Sequence, residues 1–174
     1  MKLFLAAALA LAATSSASVL FDSVDVSAQY PSMGSVYVDG GIKTIDGSVE
    51  YPAGTFAGYN SSMSIQITAT QLILSLNGGA TTFDPAAFNG FEVSFLTGTI
   101  LSAVADISSN FNPVIQIIGN NLFLNYQGET VNVGQTSIID LTGTSSVPEP
   151  ATVGILGSGL AALVFLRRCA HLKS

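Results

Sequence analysis

The 174-residue sequence predicts an all-β fold: an antiparallel two-sheet β-sandwich, jelly-roll-like, flanked by an apolar helix at each end of the chain. Short runs in which apolar and polar residues alternate recur through the middle, as in strands with one buried face. Turn-forming Gly, Asn and Asp clusters separate these runs. No stretch there shows a helical period. We therefore expect one β-domain over residues 18–141, with a closed barrel as the alternative architecture.

Eight to ten short strands are expected, and eight can be bounded: 18–28, 35–38, 64–68, 72–76, 91–95, 114–118, 122–126 and 137–141. The third and fourth are predicted to pair as a hairpin. Gly119-Asn120-Asn121 is predicted to be the three-residue loop of a second hairpin. Asp84 is expected to cap a single helical turn that begins at Pro85.

The first 17 residues are predicted to be a secretory signal peptide. Lys2 supplies the positive charge that begins such a signal, and residues 3–13 form an apolar run too short to cross a bilayer. Ser15 and Ala17 fit the −3 and −1 positions of a signal-peptidase cut after Ala17, and a cut one residue later is the alternative. A buried first helix is the other interpretation, but this run is apolar on every face.

A second apolar segment lies near the C-terminus. Residues 151–166 carry no charge and predict a transmembrane helix, which at ~1.5 Å per residue reaches ~24 Å, short of the ~30 Å hydrocarbon core. Arg167 and Arg168 follow as a membrane stop signal in a basic cytoplasmic tail, residues 167–174. The positive-inside rule then predicts a precursor anchored in the inner membrane with its β-domain in the periplasm.

The linker over residues 142–150 ends in Val147, Pro148, Glu149 and Pro150. Two prolines hold the backbone extended, which is the form that a membrane-side processing enzyme can bind. The tripeptide alone is typical of a rigid linker. Together with the helix and the arginine pair, this tail resembles the PEP-CTERM sorting signal of Gram-negative bacteria. The resemblance implies recognition by exosortase, processing near the Pro-Glu-Pro tripeptide, and delivery to the cell surface or the exopolysaccharide matrix.

The central domain also looks like the N-terminal portions of many PEP-CTERM proteins, although this likeness is looser. It rests on Gln29-Tyr30-Pro31, on Ala86-Ala87-Phe88-Asn89-Gly90-Phe91 and on Ser137-Ile138-Ile139-Asp140-Leu141. This resemblance implies a small extracellular β-domain and specifies no biochemical role.

Charge excludes several classes of function. Charged residues make up 9% of the chain, against roughly 25% in an average protein. Residues 18–146 contain ten acidic residues and one basic residue, Lys43, for a net charge of −9, and no Arg, His or Cys. A nucleic-acid-binding face needs clustered basic residues and is excluded. Catalysis by His or thiolate, zinc sites and disulfides are excluded from this domain as well.

The remaining ionisable side chains are mainly carboxylates. A glycosidase needs two of them facing across a cleft. Asp39 and Asp46 are predicted in Gly-rich turns, and the polar faces of strands are predicted to hold Glu50, Glu92, Asp22, Asp25, Asp106 and Asp140. We therefore expect no catalytic residue, no metal site and no cofactor. Calcium held by Asp and Asn oxygens is the weaker alternative, because no twelve-residue calcium loop is present.

The aromatic residues leave one alternative open. The five tyrosines, together with ten phenylalanines, either fill the core or form a sugar-binding platform, and the core is favoured: Tyr30, Tyr37, Tyr51, Tyr59 and Tyr126. Two functions follow. The first is a structural or adhesive protein of the cell surface or matrix, and the second is a carbohydrate-binding module. The expected partners are signal peptidase, exosortase and the inner membrane, with exopolysaccharide as a further candidate.

Overall fold

The structure is a computed structural model that describes residues 21–145. This part of the chain forms eleven strands and no helix: β1 Ser23–Gln29, β2 Val36–Thr44, β3 Met63–Ile67, β4 Gln71–Leu76, β5 Thr81–Thr82, β6 Gly90–Phe95, β7 Thr99–Ala105, β8 Val114–Ile118, β9 Asn121–Asn125, β10 Thr130–Val131 and β11 Thr136–Thr144. The all-β class is as predicted. The two flanking helices, predicted within residues 1–17 and 151–166, lie outside the described residues. Between residues 21 and 145, no helical segment has the length and apolarity needed to traverse a bilayer.

The strands form three antiparallel sheets. A five-stranded sheet has the order β2-β1-β6-β9-β8, and a four-stranded sheet has the order β3-β4-β11-β7. The third sheet is a short pair, β10 with β5, which the sequence does not predict. The first described strand and the last one each lie inside a large sheet, with a neighbour on both sides.

One hydrophobic core joins the inner faces of the two large sheets. Alternate residues of β1, Val24 and Val26, are fully buried, as are Leu72 and Leu74 of β4. This alternation is the two-residue period that the sequence shows. All eight phenylalanines of the described residues are buried, so most aromatic side chains fill the core, as favoured by the sequence: Phe21, Phe56, Phe83, Phe88, Phe91, Phe95, Phe111 and Phe123.

Both predicted hairpins form, but one turn is tighter than expected. β3 pairs with β4, and β8 pairs with β9. Because Ile118 is opposite Asn121, the second hairpin has a two-residue turn, Gly119-Asn120, and not the predicted three-residue loop. Gly119 has a φ of +62°, which suits the first central position of a type II′ turn. The helical turn predicted after Asp84 is wrong, because residues 85–87 form bends.

The second strand is longer than predicted, because a bulge carries it past two glycines. Between Asp25 and Ser27 of β1 the register advances from Ile42 to Asp39 on β2, so β2 contains one extra residue. Gly41 has a φ of +70°, the left-handed conformation in which glycine is favoured at such bulges. The Asp39-Gly40-Gly41 segment, predicted to be a turn, is therefore part of β2.

The last strand extends into the segment that the sequence assigns to the linker. Residues 142–144 continue β11 and pair with β7, with Thr142 opposite Ser102 and Thr144 opposite Thr99. Gly143 suits this position because an added Cβ would lie 2.8 Å from Cζ of Phe21 and 2.5 Å from the carbonyl oxygen of Thr99. The first three residues of the predicted linker, 142–144, therefore belong to β11.

Candidate functional site

The carboxylates of Asp25 and Asp39 are neighbours on the paired strands β1 and β2. Burial and the neighbouring Asp39 raise the pKa of Asp25. Glu50 is buried, contrary to the predicted polar strand face, and its Oε2 accepts a 2.6 Å hydrogen bond from the backbone N–H of Ile67. Burial also raises the pKa of Glu50. Across the described residues, no three His, Cys, Asp or Glu side chains are grouped so as to hold a metal ion.

Loops and short strands form a pocket of about 180 Å³. We call it the tyrosine pocket. Its walls come from five parts of the sequence. These are the residue after β1, strand β2, the loop that precedes β3, strand β5, and the segment that precedes β6. The lining residues are Tyr30, Tyr37, Gly58, Tyr59, Asn60, Thr81, Thr82, Phe83, Asp84 and Asn89.

Tyr59 is the central support of the tyrosine pocket. Its hydroxyl group donates a hydrogen bond of 2.5 Å to Oδ1 of Asn89. Its ring packs edge-on against Phe83 and Phe91, with centroid distances of 6.2 and 5.7 Å. Burial raises the pKa of Tyr59, so this hydroxyl stays protonated and acts as a donor at neutral pH.

Asn89 connects three segments of the pocket wall. Its side-chain Nδ2 donates to the carbonyl oxygen of Asp84 at 3.0 Å, and its backbone N–H donates to Oδ1 of Asn125 at 3.0 Å. Because Asn89 also accepts the Tyr59 bond, both the nitrogen and the oxygen of its side-chain amide help to hold the wall.

The loop that carries Tyr59 is anchored by Phe56. This side chain is fully buried, and its ring lies 5.8 Å from that of Tyr51 and 5.2 Å from that of Phe91. The carbonyl oxygen of Phe56 accepts hydrogen bonds of 3.1 Å from the backbone N–H groups of Tyr59 and Asn60. The wall is therefore held by core packing and by local turn bonds.

Asn60 is a polar residue of the pocket whose side-chain amide has unused hydrogen-bonding capacity. It is 7% exposed, and its backbone is paired with Phe56 and Met63. Within residues 21–145, its side-chain amide forms no hydrogen bond, although it lines the pocket. The buried side-chain atoms without a partner in the described residues are Asp25 Oδ1 and Glu50 Oε1, so the amide of Asn60 is open to the pocket and can bond to water or to a ligand there.

The rim of the pocket is aromatic and the lining carries one charge. Tyr37 is 54% exposed, and its ring centroid is 5.7 Å from that of Tyr59 at an interplanar angle of 51°. Tyr30 is partly buried on the same pocket. Asp84 is the one ionisable carboxylate among the lining residues, so a two-carboxylate hydrolytic arrangement is absent from this pocket.

The sequence indicates Tyr30, Tyr37 and Tyr59 as candidate aromatic residues but gives no sign that they lie together. It did single out Gln29-Tyr30-Pro31 and the segment 86–91, which the structure places side by side: the backbone N–H of Phe88 donates to the carbonyl oxygen of Pro31 at 3.0 Å. Asn60 was missed because no local pattern distinguishes a pocket amide from a polar loop residue. Nothing short of the tertiary fold could have identified it.

The predicted sorting and processing residues all lie outside the described residues: Ser15, Ala17, Val147, Pro148, Glu149, Pro150, Arg167 and Arg168. Their places in the chain are nevertheless informative. The last strand, β11, ends at Thr144, and the Pro-Glu-Pro tripeptide begins four residues later in the sequence. A family model of the PEP-CTERM protein-sorting motif matches residues 146–168.

The chain carries a PEP-CTERM sorting motif. The match covers the Pro-Glu-Pro tripeptide, the predicted helix and the arginine pair, and it stops before residues 169–174. A PEP-CTERM motif marks an exported protein that is processed by an exosortase. Among curated proteins and solved structures, no match to the chain was found.

Proposed function

We propose that this PEP-CTERM protein is a structural component of the bacterial cell surface or exopolysaccharide matrix and has no enzymatic activity. The observation that carries the proposal is the sorting motif at residues 146–168, which directly follows a compact β-domain. The two large sheets share one core, which supports a jelly-roll-like β-sandwich as the delivered unit. The absence of a facing carboxylate pair from the tyrosine pocket is consistent with a role in binding or structure.

The proposed route has three steps. Signal peptidase cuts after Ala17, and the helix predicted over residues 151–166 holds the precursor in the inner membrane. Exosortase then acts near Pro148-Glu149-Pro150 and delivers the domain to the surface or the matrix. A helix shorter than the ~20 residues of a stable span suits a temporary anchor.

The test is the intact mass of the protein recovered from the outer surface or culture fluid of its native host. A chain that begins near Ser18 and ends between Val147 and Pro150 is expected, with any excess mass reporting an attached group. A surface protein that retains every residue through Ser174 would contradict processing. If the protein is found only in the inner membrane, the surface role is overturned.

A matched pair of variants tests the processing motif. Glu149→Ala is expected to leave the precursor unprocessed in the membrane fraction. Asp22→Ala removes a different exposed acidic side chain, within the β-domain, and is expected to be processed as the wild-type chain is. Equal processing of both variants would show that Glu149 is dispensable for recognition.

A second candidate function is that of a carbohydrate-binding module on the cell surface. The tyrosine pocket favours it, because an aromatic lining with a few polar side chains is the usual composition of a small-molecule site. This candidate is compatible with the first, since a matrix protein that binds polysaccharide would be retained by it.

A further inference from the structure

We propose that the tyrosine pocket binds one uncharged sugar ring of a polysaccharide, with Tyr37 as the stacking surface and Asn60 as the hydrogen-bonding group. The proposal rests on the carbohydrate-binding role given above and specifies its site and ligand class. The pocket of about 180 Å³ is of the size of a single ring, so the rest of the glycan would extend into solvent from the rim.

The aromatic component of the site is Tyr37. Its side chain is 54% exposed, whereas Tyr51 and Tyr126 are completely buried. The ring leans against Tyr59, which is fixed by its bond to Asn89, so one face of Tyr37 is supported by protein. The apolar C–H face of a pyranose can pack on such a ring, and a supported ring loses little conformational entropy on binding.

The polar component is Asn60 with the hydroxyl-bearing residues around it. A free side-chain amide has one acceptor oxygen and two donor hydrogens, which match a pair of vicinal sugar hydroxyls. Thr81 and Thr82 contribute hydroxyl groups to the lining, and that of Thr82 is 3.1 Å from the hydroxyl of Thr130. A sugar hydroxyl would bond to the Asn60 amide, which is open to the pocket and has no side-chain hydrogen bond within the described protein.

Charge selects between classes of sugar. The lining contains the carboxylate of Asp84 and no Lys, Arg or His, and the described domain has ten acidic residues against a single lysine. An anionic ring, such as a uronic acid or a phosphorylated sugar, would be repelled and would find no cationic partner. The ligand is therefore a neutral ring.

The experiment uses the full chain, purified in a detergent without a sugar headgroup so that the detergent does not compete. The probes are oligosaccharides of glucose, galactose, mannose and N-acetylglucosamine, together with oligogalacturonate as the anionic probe. Binding is followed by saturation-transfer NMR and by titration calorimetry. At least one neutral probe is expected to bind, and oligogalacturonate is expected not to bind.

Variants assign the binding to the pocket. Tyr37→Ala and Asn60→Ala are each expected to weaken binding about ten-fold. Val36→Ala is the matched control, because Val36 precedes Tyr37 on β2, is similarly exposed and does not line the pocket. Thermal denaturation of each variant establishes that weaker binding does not reflect unfolding.

The outcomes distinguish the carbohydrate-binding role of the protein from the assignment of that role to the tyrosine pocket. Neutral-sugar binding that is unchanged in both pocket variants would overturn this site and keep the carbohydrate-binding role. Stronger binding of oligogalacturonate would overturn the ligand class. Failure of every probe would overturn both, whereas the surface or matrix role stands or falls separately, on the mass of the exported chain.

Discussion

The hydroxyl group of Tyr126 donates a 2.9 Å hydrogen bond to Oγ of Ser137, and both residues are completely buried. Tyr126 directly follows β9 of the five-stranded sheet, whereas Ser137 lies in β11 of the four-stranded sheet. This bond therefore connects the two large sheets through the core. Burial raises the pKa of Tyr126, so the donor proton is retained at all physiological pH values.

We predict that this bond is revealed by a double-mutant cycle. Tyr126→Phe leaves the Ser137 hydroxyl buried without its donor, and Ser137→Ala leaves the tyrosine hydroxyl without its acceptor. Each change is expected to lower the free energy of unfolding by about 1–2 kcal/mol. The double variant should lose clearly less than the sum, as measured by urea denaturation. Strict additivity would show that the two groups do not interact.

Gly40 is predicted to be intolerant of a side chain. A Cβ at this position would lie 2.8 Å from the carbonyl oxygen of Val26 and 2.9 Å from the ring of Tyr51. Gly40→Ala is therefore expected to destabilise the domain by about 1–3 kcal/mol in urea denaturation. Gly79→Ala is the matched control, because no heavy atom lies within 4 Å of the added Cβ. An unchanged free energy of unfolding for Gly40→Ala would mean that the bulge shifts to accommodate the Cβ at little cost.

Glu50 is predicted to make stability fall as the pH rises. Burial raises its pKa in the folded protein above the ordinary value of 4.5, so the folded state keeps a proton that the unfolded state has lost. Folding is then penalised progressively above about pH 4.5. Glu50→Gln removes this charge and retains an oxygen that can accept the Ile67 bond. It should raise the Tm at pH 7 more than at pH 4.

The comparison of two pH values provides the control for Glu50. Other carboxylates also titrate, but they are present in both proteins, so the difference between the two pH profiles isolates this residue. An equal Tm change at pH 4 and pH 7 would attribute the effect to packing. A lower Tm for Glu50→Gln at pH 7 would contradict the predicted cost of the buried charge.

Phe56 is predicted to hold the tyrosine pocket together. Phe56→Ala removes a completely buried ring that contacts Tyr51 and Phe91, at a cost of about 3–5 kcal/mol. Tyr37→Ala, at the exposed rim, should change stability by less than about 1 kcal/mol. Thermal denaturation followed by tyrosine near-UV circular dichroism measures both. Similar losses of stability for the two variants would contradict the distinction between Phe56 as the anchor of the pocket and Tyr37 as its exposed rim.

The strands that could be predicted are those marked by a pattern within a short stretch of sequence, either alternating apolar and polar residues or a turn between two strands. The alternation of β3 and β4 indicates the face that is buried, and the turn residues Gly119-Asn120 indicate that β8 pairs with β9. β7 was missed because Leu101 interrupts its alternation: the pairing passes from Ser102 opposite Thr142 to Ile100 opposite Gly143, which leaves Leu101 as an extra residue. The exposure of Leu101 and Val104 further obscures the inward face of this edge strand.

The candidate site could not be predicted to the same extent. Tyr30, Tyr59 and Asp84 belong to separate loops, and only the pairing of β1 with β6 and the packing of Phe56 bring those loops together. Glu50 was misplaced for a related reason. A lone acidic residue beside a strand looks solvent-exposed in sequence, and its burial depends on a bond to Ile67, 17 residues away.

The position of β11 determines how the domain would bear tension. This strand is hydrogen-bonded to β4 on one side and to β7 on the other, and it is the last strand before the sorting motif. A pull exerted along the chain from a matrix-attached C-terminus would act parallel to β11. It would have to shear two ladders of hydrogen bonds together, whereas an edge strand could be peeled away one bond at a time. The delivered domain would therefore resist mechanical unfolding from the end by which it is held.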